Sequence, residues 1–229
     1  MALSLDKFVL IDASARAHVN LSLEFVGYFN NWTTNDIFDC QTSSRSSECL
    51  VNAYHLCGNA VGAGVDPWAF WRYSKCMFGR QYPPLDRPDA LYAECASPFN
   101  VFVNDSSRTC TLAQFPAVMA NISGDCATEA GLAADAVRGC VDDGHGAALL
   151  KTSFAKTLTF PRNPKGYIEP QWIEVDGAPC SDGWEGCQTA FDKTSCEDWD
   201  HCDHDAWAQH ILRTLCDRFG SDIVSCQKW

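Results

Sequence analysis

Cysteine is the residue type through which this sequence could most readily do chemistry. The chain has 14 cysteines among 229 residues, an even number typical of secreted proteins whose cysteines form disulfide bridges. If residues 48–57 are helical, Cys49 and Cys57 lie about 12 Å apart along the axis. A disulfide needs Cα atoms within about 7 Å, so each must bond elsewhere. Structural bridges are the favoured interpretation of these cysteines. The alternatives are a reactive thiol and a zinc site that includes His55, although the spacing matches no common zinc pattern.

Sequons for N-glycosylation also point to the secretory pathway. Four Asn-x-Ser/Thr triplets predict glycans at Asn20, Asn31, Asn104 and Asn121. The first seven residues, in contrast, contain neither a basic segment nor a long apolar segment of the kind that a signal peptide needs.

Two further clusters could carry chemistry. The acidic run at 197–205 contains oxygen, nitrogen and sulfur ligands for a metal, but acidic runs are usually solvated loops and the spacing fits no specific geometry. We therefore predict no metal site. His145 lies between Gly144 and Gly146, where a catalytic histidine is the alternative to a turn that begins a helix.

Composition excludes several classes of partner. The net charge is −12, which opposes binding to nucleic acid and to anionic membrane surfaces. Hydrophobic residues make up 46% of the chain, enough for a core, yet no apolar run is long enough to span a bilayer. We predict no nucleic-acid partner and no membrane insertion.

Hydrophobic periodicity predicts an α/β order of elements. A helix over 5–17 precedes a strand over 19–25, where apolar and polar residues alternate, and a loop over 27–47. A helix over 48–56 is expected to stop at Gly58-Asn59, and prolines divide 66–138 into short helices. The later predictions are helices over 125–137 and 146–156, strands at 167–168 and 172–175 with a turn at Asp176-Gly177, an acidic cysteine-rich loop over about 180–205, and a closing helix containing Trp207, Ile211 and Leu215.

One segment resembles the signature of a known family. Cys40-Gln41, Glu48-Cys49, Asn52 and Cys57 follow the order C-Q-H-G-x-x-E-C-x-x-N-x-x-x-x-C of the gamma-interferon-inducible lysosomal thiol reductases, the GILT family. Thr42-Ser43 replace His-Gly, and two extra residues separate the first two cysteines.

The resemblance continues along the chain. The matching features downstream are Cys76-Met77, Cys126, Cys140, Gly144-His145-Gly146, the run Tyr167-Ile168 to Pro179, and the closing cysteines Cys216 and Cys226. The resemblance implies a single domain over 1–229 with a thioredoxin-like sheet and a helical, disulfide-rich insertion over about 48–145. It also implies structural disulfides drawn from Cys40, Cys49, Cys57, Cys76, Cys126, Cys140, Cys216 and Cys226.

The activity implied is reduction of disulfides in protein substrates within an endosomal or lysosomal lumen, without a cofactor. In that family a Cys-x-x-Cys pair at a helix N-terminus performs the exchange, and a cis-proline lies against it. Pro170 is the candidate for that proline, although Gln171 separates it from Trp172.

No Cys-x-x-Cys occurs anywhere in the 229 residues. We therefore expect no catalytic residue in this chain, and we expect it to be a precursor shortened at the N-terminus that has lost its first strand along with the pair. The alternative is a pseudoenzyme: a non-catalytic, disulfide-stapled glycoprotein that binds cysteine-containing clients in a lumenal or extracellular space.

Overall fold

The computed structural model describes residues 12–18, 23–25, 27–29, 38–40, 45–63, 66, 68–81, 115–159, 174–175, 178–179 and 204–228. Seven α-helices lie in these ranges: α1 Ala13–Ala17, α2 Arg45–Gly62, α3 Ala69–Gln81, α4 Phe115–Ala130, α5 Ala134–Asp142, α6 His145–Thr157 and α7 His204–Phe219. The strands are β1 Gly27–Phe29, β2 Phe38–Cys40, β3 Glu174–Val175 and β4 Ala178–Pro179. Two short 3₁₀ helices, Gly220–Asp222 and Val224–Lys228, follow α7.

The chain divides into two compact units, which are described separately. The helical unit comprises residues 22–159, and the terminal unit comprises residues 1–21 together with 160–229. In the helical unit α2 is the central helix, because α3, α4, α5 and α6 all pack against it. Eight consecutive α2 residues, 51–58, are buried, which is possible only for a helix that is covered on every side.

The end of α2 differs from the prediction. We expected Gly58-Asn59 to stop the helix, but α2 continues to Gly62. The glycine is needed for packing: a Cβ at Gly58 would overlap the ring of Tyr73 on α3. The missing side chain therefore lets α2 and α3 approach closely, and the backbone stays helical.

The predicted helix over 125–137 is wrong, because two helices meet within it. Gly131 adopts a left-handed conformation at φ 78°. The Leu132 N–H donates to the Ala127 carbonyl at 2.8 Å and the Gly131 N–H donates to the Thr128 carbonyl at 3.1 Å, a Schellman motif that ends α4. Buried Leu132 covers the turn before α5 begins.

The predicted strand over 19–25 is wrong at residues 23–25, which belong to no strand. Side chains of α6 satisfy this backbone: the Phe25 N–H donates to Ser153 Oγ at 2.8 Å, and its carbonyl accepts from Thr157 Oγ1 at 3.2 Å. Lys156 and Glu24 form an ion pair at 2.6 Å beside them. The backbone of Phe25 therefore forms its hydrogen bonds with side chains of α6, where a strand would form them with the backbone of a neighbouring strand.

The thioredoxin-like α/β fold is wrong for the part of the chain that the structure describes. Strands there form only two separate antiparallel pairs, β1 with β2 and β3 with β4. The first pair lies in the stretch 27–47 that we expected to be loop. The second overlaps the predicted strand over 172–175 only at Glu174–Val175, and it pairs that segment with Ala178–Pro179, where we predicted no strand. In the described part of the helical unit, α2 to α6 bury apolar residues against one another, so helix-on-helix packing forms its core.

The terminal unit is held by a polar cluster at the start of α1. The Asp12 carboxylate accepts hydrogen bonds from the backbone N–H groups of Ser14 at 2.8 Å and Ser225 at 2.7 Å, and from both serine hydroxyls. Ser14 Oγ accepts from the Val224 N–H at 2.8 Å. Asp12 is thus the N-cap of α1 and also binds the last 3₁₀ helix.

The helix predicted over 5–17 is wrong at Asp12, whose extended backbone caps α1, and residues 5–11 lie outside the described part of the chain. Two other predicted helices agree with the structure. The helix predicted over 146–156 is α6, and the closing helix that contains Leu215 is α7. None of the helices in the described ranges has the length and apolar character needed to cross a membrane.

Two glycine-to-alanine substitutions test the close packing of α2. We expect Gly58→Ala to lower the free energy of unfolding by about 1–3 kcal/mol, because the new methyl group overlaps the fully buried Tyr73 ring. Gly139→Ala in α5 is the control, since a Cβ there meets no atom within 4 Å, and it should stabilise the protein by about 0.5–1 kcal/mol. Urea denaturation measures both. Equal effects of the two substitutions would contradict the packing role of Gly58.

Candidate functional site

Disulfides join the helices around α2. Cys57 of α2 bonds to Cys140 of α5 with a Cα–Cα distance of 5.8 Å, and Cys76 of α3 bonds to Cys126 of α4 at 5.5 Å. In the terminal unit Cys216 and Cys226 are bonded at 5.3 Å. The expectation of disulfide bonds is confirmed.

The other two candidates for bridges lie at the start of the helical unit. Cys49 is also disulfide-bonded, although it is not bonded to Cys57 in the same helix. Cys40 is the last residue of β2, and its side chain lies outside the described part of the structure.

The sequence separation across each bridge sets its effect on folding. Cys57–Cys140 closes a separation of 83 residues and Cys76–Cys126 one of 50, which corresponds to a loss of unfolded-state entropy worth about 4–5 kcal/mol each. Cys216–Cys226 spans 10 residues and is worth about 3 kcal/mol on the same scale. Among the described bridges, the two long-range ones in the helical unit therefore contribute the most to stability.

Accessibility limits what these bridges can do chemically. Cys57 and Cys126 are fully buried, whereas their partners Cys140 and Cys76 are half-buried. A thiolate attacking from solvent would therefore meet the Cys76 side of its bridge first.

The charges around Cys76 do not favour a reactive thiolate. The Cys76 sulfur lies 3.4 Å from a carboxylate oxygen of Glu129. Arg80, one turn along α3, forms ion pairs with Glu129 and with Asp125, the latter at 3.1 Å. Since the arginine charge is already matched by two carboxylates, the local field would oppose ionisation of a reduced Cys76.

His55 is a deeply buried titratable side chain near these bridges. It is 1% exposed, its ring stacks on Phe78 with centroids 4.4 Å apart, and its Nδ1 lies 3.2 Å from Ser74 Oγ. Its Nε2 makes no hydrogen bond in the structure as described. Loss of hydration lowers the pKa of His55 from 6.5 to about 3, so the ring is neutral.

The zinc alternative for His55 is not supported by these contacts. Its neighbour Cys57 is bonded to Cys140 and so has no thiolate to offer. The described ranges contain no cluster of three or more His, Cys, Asp or Glu residues that could hold a metal ion.

A buried hydroxyl network connects three helices beside His55. The Tyr73 hydroxyl donates to the Tyr54 carbonyl at 3.2 Å, and Ser123 Oγ lies 2.8 Å from the Tyr73 oxygen. Burial raises the pKa of Tyr73 above its ordinary value. The network therefore fixes α2, α3 and α4 relative to one another.

The remaining predicted site residues are dispersed. His145 is exposed at the start of α6, where its backbone N–H donates to the Asp143 carboxylate at 2.9 Å. Gly144 adopts a φ of 83°, so the glycine forms a turn before the helix. Asn121 is exposed on α4. The predictions for Asn20, Asn31, Asn104, Pro170 and residues 180–203 of the acidic loop fall outside the described residues.

Within the described ranges the geometry does not assemble a catalytic centre. His55 and Ser74 form the closest histidine–hydroxyl pair, but both side chains are buried in the helical unit and cannot reach a substrate. The sequence had pointed to His55 only as a zinc ligand. Its burial could have been predicted from the apolar residues on both sides of it in α2.

The buried neutral state of His55 makes the helical unit sensitive to acid. A folded-state pKa of about 3 lies below the unfolded value of 6.5, so the unfolded chain binds the extra proton first. The stabilising contribution is complete above pH 6.5 and is lost as the pH falls toward 3. We expect the free energy of unfolding to be lower by up to about 2 kcal/mol at about pH 5 than at neutral pH.

Chemical denaturation of three proteins at both pH values tests this sensitivity. His55→Asn keeps a polar atom near Ser74 but does not titrate, so its stability should change less with pH than that of the unsubstituted chain. The matched control is His145→Asn, at an exposed position, which keeps His55 and should therefore keep the loss of stability in acid that His55 causes. If His55→Asn lost as much free energy of unfolding between neutral pH and pH 5 as the unsubstituted chain, the acid sensitivity would have to arise from other groups.

Comparison with known proteins identifies no relative. No family model matches the chain, and neither the curated proteins nor the solved structures contain a match.

Proposed function

We propose that this chain is a non-catalytic, disulfide-stapled protein that folds in an oxidising lumenal or extracellular compartment and binds protein clients there. The observation that carries the proposal is the use of the helix cysteines: Cys57, Cys76, Cys126 and Cys140 are spent on bridges between helices. The absence of Cys-x-x-Cys from the sequence supports it further.

Support for the compartment comes from the bridges and the sequons. Disulfides such as those described here would be reduced by the thiol systems of the cytosol but persist in secretory organelles and outside the cell. The four sequons fit the same route. An endosomal or lysosomal lumen and the extracellular space remain the two proposed locations.

Thiol–disulfide exchange of the GILT type is the second candidate. The cysteine pattern of the sequence favours it, and Cys76 supplies a half-buried residue in one of the long-range bridges. A dithiol that opened Cys76–Cys126 would leave two thiols able to reduce a substrate disulfide and close again. The carboxylate of Glu129 beside Cys76 weighs against this candidate, because it disfavours the thiolate.

Reduction of insulin by dithiothreitol separates the two candidates. The released thiols report the rate of reduction, and turbidity reports aggregation of the freed B chain. A client-binding protein should suppress turbidity while the rate of thiol release stays equal to that with dithiothreitol alone. A reductase should accelerate thiol release.

The matched control is the double variant Cys76→Ser/Cys126→Ser, with mass spectrometry to verify the other bridges after the assay. Accelerated thiol release that disappears in this variant would establish exchange and overturn the non-catalytic proposal. An absence of both acceleration and suppression would overturn client binding.

A further inference from the structure

We propose that Asn121 is an N-glycosylation site that can be modified only before α3 and α4 dock, so that closure of the Cys76–Cys126 bridge ends its modification. The inference rests on the proposed passage through the secretory pathway, and it adds an order of events that the sequon alone does not contain. Its basis is where α4 places the residues of the sequon.

The two side chains of the sequon lie on opposite faces of α4. Asn121 is exposed, whereas Ser123 is 2% exposed. Residues two apart in an α-helix are separated by roughly 200° around the axis, so one faces solvent when the other faces the core. The intervening residue, Ile122, is buried as well.

The glycosyl transfer needs both side chains in one enzyme site. The Asn121 amide nitrogen would form a bond to the anomeric carbon of an oligosaccharide carried on a polyprenyl diphosphate. The carbon–oxygen bond to the diphosphate breaks, the lipid diphosphate leaves, and the amide proton passes to a base of the transferase. The transferase must bind the hydroxyl of Ser123 at the same time. This requires the backbone around the sequon to be unwound, so α4 cannot yet have formed there.

In the folded unit that hydroxyl is sequestered. Ser123 Oγ lies 2.8 Å from the buried Tyr73 hydroxyl of α3. Three residues farther along α4, fully buried Cys126 is bonded to Cys76. Unwinding α4 around the sequon would therefore break a buried hydrogen bond and strain a helix end fixed by a covalent bridge.

Glycosylation of Asn121 can precede the docking of α3 and α4 but cannot follow it. Since Asn121 faces solvent, a glycan attached early projects outward and leaves the packing of α4 on α3 intact. A chain that folds first has no access to the transferase. Occupancy of Asn121 is thus set by competition between transfer and closure of the Cys76–Cys126 bridge.

The test directs the full chain into the secretory pathway of eukaryotic cells with an appended signal peptide and measures glycopeptides by mass spectrometry. The unsubstituted chain should carry a glycan on only a fraction of its Asn121 residues. Cys76→Ser/Cys126→Ser should turn the glycosylated form from a minor into the major species. The matched control, Cys216→Ser/Cys226→Ser, removes a bridge of the terminal unit and should leave the occupancy of Asn121 unchanged.

A second measurement does not depend on folding of the variants. Purified oligosaccharyltransferase with its lipid-linked donor should modify the reduced, unfolded chain at Asn121, and should not modify the oxidised, folded chain. Asn121→Gln should abolish the product.

Modification of the folded chain, equal occupancy in the two double variants, or an empty Asn121 in every sample would each overturn the inference. Because the appended signal peptide ensures entry, these outcomes are independent of where the natural chain resides. Failure of the compartment proposal would instead be seen if the natural protein were located in the cytosol of its own cells.

Discussion

Burial of α2 on every side is the constraint on which the rest of the helical unit depends. A helix whose residues 51–58 are all buried needs partners around its whole circumference, and α3 to α6 supply them. Helices at such close quarters need small residues at contacts, and Gly58 provides one against Tyr73. The Cys57–Cys140 and Cys76–Cys126 bridges join these helices covalently and stabilise the bundle by reducing the conformational entropy of the unfolded chain.

The two units hold polar groups in opposite ways, and this separates their responses to acid. His55 is buried as the neutral form, so protonation favours unfolding of the helical unit. Asp12 in the terminal unit is held ionised by Ser14 and Ser225, which lower the pKa of its carboxyl below the ordinary value. That contribution is present above the unfolded value of 3.8 and is lost only as the pH falls through the lower folded value. Mild acid would therefore weaken the helical unit and leave the Asp12 cluster intact.

Glycines explain much of what the sequence could and could not predict. The turn at Gly144 was readable because a glycine precedes a helical pattern. The roles of Gly58 and Gly131 could not be predicted from the sequence. Gly58 contacts the ring of Tyr73, which is distant in sequence, and Gly131 forms a turn inside an apolar run. Phe25 shows the same limit: its alternating neighbours predict a strand, but its backbone partners are Ser153 and Thr157, far away in sequence. Local pattern predicts helices and turns, while tertiary partners decide whether a glycine such as Gly58 packs inside a helix and whether an alternating segment pairs with a strand.

The cysteine pattern has a structural explanation that does not require redox chemistry. The cysteines at 57, 76, 126 and 140, on which part of the resemblance to the thiol reductases rests, lie on α2, α3, α4 and α5, and there they form bridges between packed helices. Their spacing follows from which helix faces meet. A reductase needs something further: a cysteine that is accessible, ionised and paired with a resolving partner. The buried sulfurs of Cys57 and Cys126, and the carboxylate beside Cys76, favour preservation of these bonds, so a structural role is sufficient to explain the bridges of this bundle.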